Sequence, residues 1–278
     1  AILRSGADRT GRVRDLEKGF AAWNKTLAGA IASLGEPDFP SRIEAALRAL
    51  LDFDVFMIFG YLDASRPIAH YYNIDPDRAA TVIEAYAAGP YLLDPFYAAA
   101  TDPAVTGVRR LRDMAPDQFY SSEYFRQHYA LTGIRDEVGF IARPGPDYGV
   151  VVSFTRPDGS SAFGRRDLDT VNAVEPVMRH LIERHFAAGA DSDRHHDRGR
   201  SQPDAINATL GKMSNALLTP REIEITSLIL RGHSNTSIAE TLGIAEGTVK
   251  IHRKNIYHKL EISSQAQLFA RFISRLSA

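Results

Sequence analysis

The last sixty residues carry apolar residues at helical spacing in short segments that end at single glycines, which restricts this part of the chain to a cluster of short packed helices. The first segment, LTPREIEITSLILRG, covers residues 218–232. Thr219 is a candidate N-cap, Glu222 completes a capping box three residues later, and Gly232 ends the helix. Pro220 at the first helical position agrees with this start. The sequence therefore predicts a helix whose two ends are fixed by its own residues.

Two more helices follow at short intervals. Residues 234–242, SNTSIAETL, form two amphipathic turns that end at a glycine. In the segment 247–260, GTVKIHRKNIYHKL, the apolar residues Val249, Ile256 and Leu260 form one stripe, and basic residues lie on other faces. Two short helices joined by a tight turn, with a basic outer face on the second, are typical of a helix-turn-helix. We therefore predict that the third helix enters the major groove of DNA.

Charge is distributed unevenly along the chain. From Thr219 to the end there are eight Lys and Arg against five Asp and Glu, whereas the first 218 residues carry 25 against 29. A surplus of three positive charges is too small to identify a nucleic-acid-binding protein without the helical pattern. Lys250, Lys254 and His258 recur every four residues on one face of the third helix, where they would meet phosphates and guanine bases.

The overall composition predicts a globular protein of two domains. The chain has 278 residues, of which 44% are hydrophobic and 24% charged. It has no cysteine, which excludes disulfides, thiolate zinc sites and cysteine nucleophiles. No apolar run approaches the roughly 18–20 residues of a membrane helix, and the first residues lack the apolar core of a secretory signal, so we expect a cytoplasmic protein with no membrane partner. The adjacent His195 and His196 have no third ligand nearby, so no metal or cofactor is expected.

The C-terminal segment closely resembles the DNA-binding domain of LuxR-type transcriptional regulators. The resemblance covers residues 218–272 and rests on the start LTPRE and the recognition-helix motif TVKIH. It implies four helices, of which the third reads DNA and the fourth, about 264–275, often forms a dimer contact. The positions that carry the family's DNA contacts are, in this sequence, Lys250, Ile251 and Lys254 for bases, Thr248 and His252 for phosphates, and Asn235 near the backbone. The resemblance also implies activation through contact with RNA polymerase, although repression uses the same fold.

Three positions depart from the family's pattern. Ala245 replaces the serine that usually caps the recognition helix, Thr236 replaces a common lysine, and Gln265 replaces a common arginine. Loss of the cap should cost on the order of 1 kcal/mol of helix stability. Fewer cations should also reduce the salt dependence of DNA binding.

The first 186 residues alternate between helix and strand patterns and predict an α+β sensor domain like GAF or PAS domains, with helices packed on an antiparallel sheet. Helices are expected at 13–34, 41–51, 76–88, 121–131 and 165–186, and strands at 54–62, at 67–73 and in two runs within 137–156. The last of these helices should be interrupted at Pro176. The stretch 187–217, rich in Gly, Ser, Asp and Arg, is predicted to be a linker between a domain at 1–186 and an all-α four-helix domain at 218–278.

One stretch of the first domain resembles the acyl-homoserine lactone domain of quorum-sensing LuxR proteins. In AYAAGPYLLDPFY, residues 85–97, Tyr86 and Asp94 match the family's tyrosine and its amide-binding aspartate. The resemblance implies ligand contacts for both, although Asp94 could equally cap the helix that follows it. The family's lactone-binding tryptophan falls near Val82, and the single tryptophan, Trp23, lies in the first helix. A core contact of the lactone site is therefore expected to be missing.

Aromatic residues are dense between residues 61 and 129. A cleft with aromatic walls and a few hydroxyl groups suits a small organic ligand, and Tyr61 and Tyr72 are candidate contacts on this ground. Ordinary core packing explains aromatic residues equally well, so their density does not decide between a ligand site and a core.

These patterns together predict a sequence-specific DNA-binding transcriptional regulator, a homodimer controlled by a small-molecule effector in its first domain. Two alternatives remain open. One is a constitutive DNA-binding regulator with a ligand-free dimerisation domain, and the other is a receptor for acyl-homoserine lactones. The sequence has no G-x-x-x-x-G-K, G-x-S-x-G or H-E-x-x-H motif, so we do not expect an enzyme.

Overall fold

The centre of the first domain is a five-stranded antiparallel sheet with the strand order β2-β1-β5-β4-β3. The structure is a computed structural model that describes residues 19–62, 66–127, 129–192, 205–214 and 217–276. The strands are β1 (Phe56–Leu62), β2 (Ile68–Tyr72), β3 (Gly107–Arg110), β4 (Ile134–Gly145) and β5 (Tyr148–Pro157). The tight turn between β4 and β5 pairs Gly145 with Tyr148, as the Pro-Gly-Pro-Asp sequence predicts.

Three long helices cover one face of the sheet. They are α1 (residues 19–32), α2 (Phe39–Arg48) and α8 (Arg165–Ser192). Side chains alternate along a strand, so Val150 and Val152 of β5 lie on this face, where they pack with the helices. This apolar layer stabilises one face of the sheet, and the three helices leave the opposite face to other elements.

Short helical pieces and turns cover the opposite face. The α-helical pieces are α3 (Pro76–Ala79), α4 (Ala85–Ala87), α5 (Pro95–Thr101), α6 (Leu111–Met114) and α7 (Glu123–Gln127). A π-helical turn at Ala80–Glu84 and 3₁₀ turns at Pro90–Leu93, Phe119–Ser121 and Tyr129–Thr132 join or flank them. Such pieces do not close over the sheet as one packed layer, and a cavity lies beneath them. The predicted α+β domain with helices on an antiparallel sheet is confirmed.

Several features of this domain differ from the expectations, and one is that the helix predicted at 121–131 is only α7, flanked by 3₁₀ turns. The helix predicted to be interrupted at Pro176 runs through it as α8, because Val174 and Met178 on either side are buried against the sheet and hold the helix despite the missing amide proton. Even this helix is not apolar enough to cross a membrane, and neither is any other described helix. The four-residue edge strand β3 has no counterpart among the predicted elements, because it is too short for an alternating pattern.

The C-terminal part is entirely helical in the described residues. Its helices are α9 (Ala205–Met213), α10 (Pro220–Arg231), α11 (Asn235–Leu242), α12 (Glu246–Lys259) and α13 (Gln265–Leu276). The last four agree with the predicted four-helix domain. Helix α9 corrects the prediction that all of 187–217 is a linker, because its Ile206 and Leu210 are fully buried against the other helices. His195 and His196 lie outside the described residues.

The two domains meet at the turn between α10 and α11. The amide of Gln118 donates to the carbonyl of Gly232 at 3.0 Å, and the Asp117 carboxylate accepts from the amide of Ser234 at 2.9 Å. Phe119 packs so closely that a Cβ atom at Gly232 would lie 2.9 Å from its Cα atom. The apolar core beneath the sensor sheet is therefore continuous with the core of the helical domain.

Candidate functional sites

Helix caps and a buried ion pair hold the helix-turn-helix together. The Thr219 hydroxyl accepts from the Glu222 amide at 3.3 Å, and the Glu222 carboxylate accepts from the Thr219 amide at 2.8 Å, which confirms the predicted capping box. The Lys259 ammonium, at the end of α12, donates to the same carboxylate at 2.7 Å. Burial raises the pKa of Glu222, but the hydrogen bonds from Lys259 and Thr219 outweigh it and leave that pKa below its ordinary value. Lys259 therefore fastens α12 to α10.

Helix α12 has a buried face and an exposed face. Val249 and Ile256 are fully buried, as the apolar stripe predicts. Lys250, Ile251 and Lys254 are exposed, and with about 3.6 residues per turn they lie on the opposite side of the helix. Ile251 is 63% exposed, which is unusual for a large apolar side chain on a packed helix and suits contact with the methyl group of thymine.

The other predicted DNA contacts flank this face. Thr248 is exposed in the first turn of α12, His252 is half-buried one turn later, and Asn235 is half-buried at the first residue of α11. Arg253 joins the two helices, because its guanidinium donates to Asn235 Oδ1 at 3.4 Å. No local sequence pattern indicates a role for Arg253, whose position between the helices becomes visible only in the fold.

Lys250 has an internal partner. Its ammonium lies 2.7 Å from Glu246 Oε1, one turn earlier on α12, and both side chains are largely exposed. The hydrogen bond and charge of Lys250 hold the pKa of Glu246 below its ordinary value. An exposed pair of this kind exchanges readily with solvent, so Lys250 remains available to a phosphate or a base.

In the first domain, three of the predicted ligand contacts form one buried chain of hydrogen bonds. The hydroxyl oxygens of Tyr61 and Tyr86 lie 2.7 Å apart, and the Tyr86 hydroxyl donates to Asp94 Oδ2 at 2.8 Å. Asp94 Oδ1 accepts from the Phe96 amide at 2.8 Å, so Asp94 also caps α5. The two roles considered for Asp94 are thus compatible, since each uses a different oxygen.

A second carboxyl group lies in the same cavity. Glu137, on β4, accepts a hydrogen bond from the Tyr129 hydroxyl and is hydrogen-bonded to Ser153. Burial, followed by the negative charge of Asp94, raises the pKa of Glu137 to about 8. Burial also raises the pKa of Asp94 to about 6. Because the two acids interact, they titrate as a unit and retain a proton near neutral pH.

The cavity is small, and aromatic rings form much of its wall. Its volume is about 40 Å³, room for a few water molecules or a very small ligand. The polar residues that line it are Tyr61, Tyr86, Asp94, Tyr124, Tyr129, Thr132, Glu137 and Ser153. Val82, at the position near which the lactone-binding tryptophan was expected, is also part of the wall. A larger ligand would have to displace some of these side chains.

The structure does not bring Tyr72 to this site. Tyr72 lies on the edge strand β2 and is 39% exposed, whereas the cavity lies over β1, β5 and β4. Conversely, sequence reasoning did not select Glu137, Tyr124 or Tyr129, which line the cavity. Tyr124 and Tyr129 belonged to the dense aromatic segment, but nothing in the local sequence distinguishes Glu137 from a solvent-facing strand residue.

Comparison with known proteins identifies the family. Residues 216–272 match the family model described as bacterial regulatory proteins, luxR family. A chain of Aeromonas salmonicida, named as an HTH-type transcriptional regulator in the exeN 3′ region, is 30% identical over 187 residues, which are 66% of this chain and 94% of that one. The chain belongs to the LuxR family of bacterial regulatory proteins. It is a transcriptional regulator with a LuxR-type DNA-binding domain, as its sequence predicts.

Two further comparisons bear on the separate halves of this LuxR-family chain. The transcriptional regulatory protein MctR of Rhizobium johnstonii is 55% identical over 51 residues, 18% of this chain and 24% of that protein. The crystal structure of the VqsR LBD domain from Pseudomonas aeruginosa is similar with a TM-score of 0.53 and 22% identity, covering 59% of this chain and 96% of that one. The second similarity shows a shared fold.

The positions at which this LuxR-family chain departs from the usual pattern have clear structural roles. Ala245 is the N-cap of α12 and offers no side-chain acceptor to the first turn. The Thr236 hydroxyl donates to Glu246 Oε2 at 3.3 Å. Gln265 accepts from Arg253 at 3.3 Å and donates to the carbonyl of Ile229 at 3.1 Å, so it connects α12 to α10. Thr236 and Gln265 therefore support the fold of the DNA-binding domain without adding charge to its surface, whereas Ala245 adds no such contact.

Proposed function

We propose that this LuxR-family regulator binds a partly palindromic operator as a homodimer, with α12 of each copy in the major groove. The observation that carries the proposal is the exposed Lys250–Ile251–Lys254 surface on a helix whose other face is fixed by Val249 and Ile256. A rigid helix with cations and an apolar side chain on its outer face suits base edges and flanking phosphates.

The DNA contacts divide by chemistry into two groups. In this proposal Lys250, Ile251 and Lys254 contact base edges, and Thr248 and His252, which lie beside them on α12, contact phosphates. A base contact fixes sequence preference at one position, and a phosphate contact changes affinity for all sequences alike. This difference allows each residue to be tested separately.

The test is selection of duplexes from a randomised DNA pool by the full chain, followed by affinity measurements on the enriched sequence. We expect half-sites about 10 base pairs apart, bound in a salt-dependent manner. Lys254→Ala should weaken binding by about 1–3 kcal/mol and relax the sequence preference at one position, while the control Lys212→Ala, an exposed lysine on α9, should leave both unchanged. Absence of any enriched sequence, or equal effects of the two variants, would contradict the assignment.

The proposal also includes control by a small-molecule effector in the cavity. Its support is a buried cavity whose wall combines aromatic rings with eight polar side chains, in a domain that contacts the helix-turn-helix directly. An effector that favours one arrangement of the sensor would change operator affinity typically by about 5–150-fold. We further propose that the protein works in the cytoplasm, where its DNA lies, contacts RNA polymerase, and has no catalytic activity, because its sequence carries no catalytic motif.

The effector is sought by thermal unfolding of the full chain against acyl-homoserine lactones and a panel of small metabolites. Saturation near 100 times the dissociation constant adds about 2.7 kcal/mol to the free energy of unfolding of the native state. Val82→Phe, which fills part of the cavity, is the control and should abolish the shift without changing operator binding. A shift that survives Val82→Phe would place the ligand elsewhere. Absence of any shift, with unchanged DNA binding, would favour the constitutive regulator.

A further inference from the structure

Among the described residues, the cavity differs from the other buried acidic sites in having no positively charged side chain in its wall. Five carboxyl groups are buried among the described residues. Three of them form ion pairs, Glu44 with Arg48 at 2.7 Å, Asp136 with Arg110 at 2.6 Å and Glu222 with Lys259 at 2.7 Å. The other two, Asp94 and Glu137, line the cavity and accept from hydroxyl groups and a backbone amide. No Lys, Arg or His is among the described residues of the cavity wall.

Buried carboxylates elsewhere in this chain thus follow the usual rule that a buried charge is paired. The two cavity acids have no such partner and come together from separate elements: Asp94 precedes α5, and Glu137 lies on β4. Both line the same open volume. A positive charge that enters this volume would give both carboxyl groups an ionic partner.

The walls are also suited to a cation. Phe59, Tyr61, Tyr86 and Tyr124 present rings to the cavity, and the faces of such rings attract an ammonium group, more strongly when water is excluded. An anionic ligand would instead meet two acids and no donor with a positive charge. A neutral ligand would leave the acids without an ionic partner.

We propose that the effector of this cavity is a small protonated amine, whose ammonium group binds between Asp94 and Glu137 with its apolar part against the aromatic rings. The inference rests on the proposed effector-binding function and names the chemical class of the ligand. The volume of about 40 Å³ limits a ligand that enters without rearrangement to roughly three non-hydrogen atoms. Longer amines require ring movement.

Proton balance gives the proposal a pH signature. In the empty cavity Glu137 keeps its proton up to a pKa of about 8, because burial and Asp94 disfavour a second charge. The groups that act on it are Asp94, Tyr129, Ser153 on the adjacent strand β5, and Asp136 beside it on β4, the last of which is paired with Arg110 on the other face of the sheet. An entering ammonium group replaces this proton, which passes to the solvent, and leaves a net neutral exchange.

This proton exchange determines how the affinity for an amine depends on pH. Below about pH 8 each bound amine must displace a proton, so affinity should rise roughly tenfold per pH unit and then level off. Amines remain protonated over this range, because their ordinary pKa is about 10.4. A ligand held only by hydrogen bonds to neutral acids would show the opposite trend and weaken as the acids ionise.

The test measures the unfolding midpoint of the full chain with ethylammonium chloride, against sodium chloride at equal ionic strength. A ligand of three non-hydrogen atoms binds no tighter than about millimolar, so about 100 mM is needed for saturation. We expect a rise of about 5–10 °C at alkaline pH and a smaller one at neutral pH. Ethanol and sodium acetate, which match the size with neutral and negative heads, should cause no comparable rise.

Two variants locate the effect. Glu137→Gln keeps the shape of the side chain and its acceptor for Tyr129, and should weaken ethylammonium binding about 10–100-fold and remove its pH dependence. Glu44→Gln neutralises a buried acid on the other face of the sheet and should leave both unchanged. If Glu137→Gln does not fold, the pH dependence of the unaltered protein still decides.

The outcomes separate this inference from the proposed function. Equal responses to ethanol and ethylammonium, or an amine response unaffected by pH, would overturn the amine class. If a neutral lactone or metabolite stabilises the protein, and Val82→Phe abolishes that effect while amines do nothing, the cavity is an effector site of a different class. If no compound acts, both the effector function and the amine class fail.

Discussion

Replacing Ala245 by serine adds the N-cap side chain that α12 lacks. Ala245 has extended backbone angles, φ −71° and ψ 144°, its side chain is exposed, and its carbonyl already accepts from the amides of Thr248 and Val249 at 2.9 and 3.2 Å. A serine hydroxyl at this position can accept from an amide of the first turn without any backbone change.

The same domain supplies the reference geometry. Thr219 accepts from the amide three residues later at the start of α10, and Ser234 does so at 3.0 Å at the start of α11. A cap side chain contributes about 0.5–2 kcal/mol relative to alanine. We therefore expect Ala245→Ser to raise the free energy of unfolding by about 1 kcal/mol, roughly a fivefold change in the folding equilibrium.

The assay is urea unfolding of the full chain, followed by far-ultraviolet circular dichroism, with hydrogen exchange of the first turn of α12 as a local measure. Thr219→Ala is the matched control and should lower the free energy of unfolding by a similar amount. Operator affinity should change little, because the first turn is already formed in the free protein. If Ala245→Ser leaves stability unchanged while Thr219→Ala lowers it, the assumption that α12 lacks only a side-chain cap is refuted.

Three more predictions concern charge. The pKa of Glu137 rises from 4.5 to about 8 on folding, so the native state binds more protons than the unfolded state in this window. The free energy of unfolding should therefore fall, by on the order of a few kcal/mol, as pH rises through it. Glu137→Gln should flatten this pH dependence of the free energy of unfolding, measured by urea unfolding between pH 5 and pH 9. Burial lowers the pKa of His70 from 6.5 to about 4, so stability should fall as pH drops through that range, and His70→Gln should remove this part of the decline. Lys259→Ala leaves Glu222 buried without its cation and should cost about 1.5–3 kcal/mol in the same assay.

The helix-turn-helix could be predicted from sequence because its determinants are local. The capping box at Thr219, the glycine at position 232 and the apolar stripe of α12 all depend on residues within one or two helical turns of each other. Such patterns fix both the boundaries of the helices and the faces they bury. Helix α9 was missed because its surroundings are polar, although Ile206 and Leu210 pack into the same core.

The cavity could be predicted only in part. Tyr86 and Asp94 lie eight residues apart, so one local motif contains them both. Glu137 joins them through the pairing of β4 with β5 and the packing of distant helical pieces above the sheet, and no local pattern specifies that meeting. For the same reason the prediction of Tyr72 as a ligand contact was wrong. Its aromatic ring suits a pocket, but its strand lies at the edge of the sheet, away from the cavity.

The segment that closes the cavity is also the segment that contacts the DNA-binding domain. The Phe119 ring packs against Tyr124 and Tyr129 of the cavity wall, with ring centres 5.8 and 6.0 Å apart, and its backbone lies under Gly232. Gly232 has φ 95° to end α10, and even a methyl group there would press on Phe119, so the approach leaves no space for adjustment. A ligand that moves Tyr129 must therefore shift Phe119 or distort a tightly packed contact, and either response acts on the turn that orients α11 and α12. Because packed interfaces change between discrete arrangements more readily than they deform, the proposed effector would act on DNA binding by making or breaking this contact.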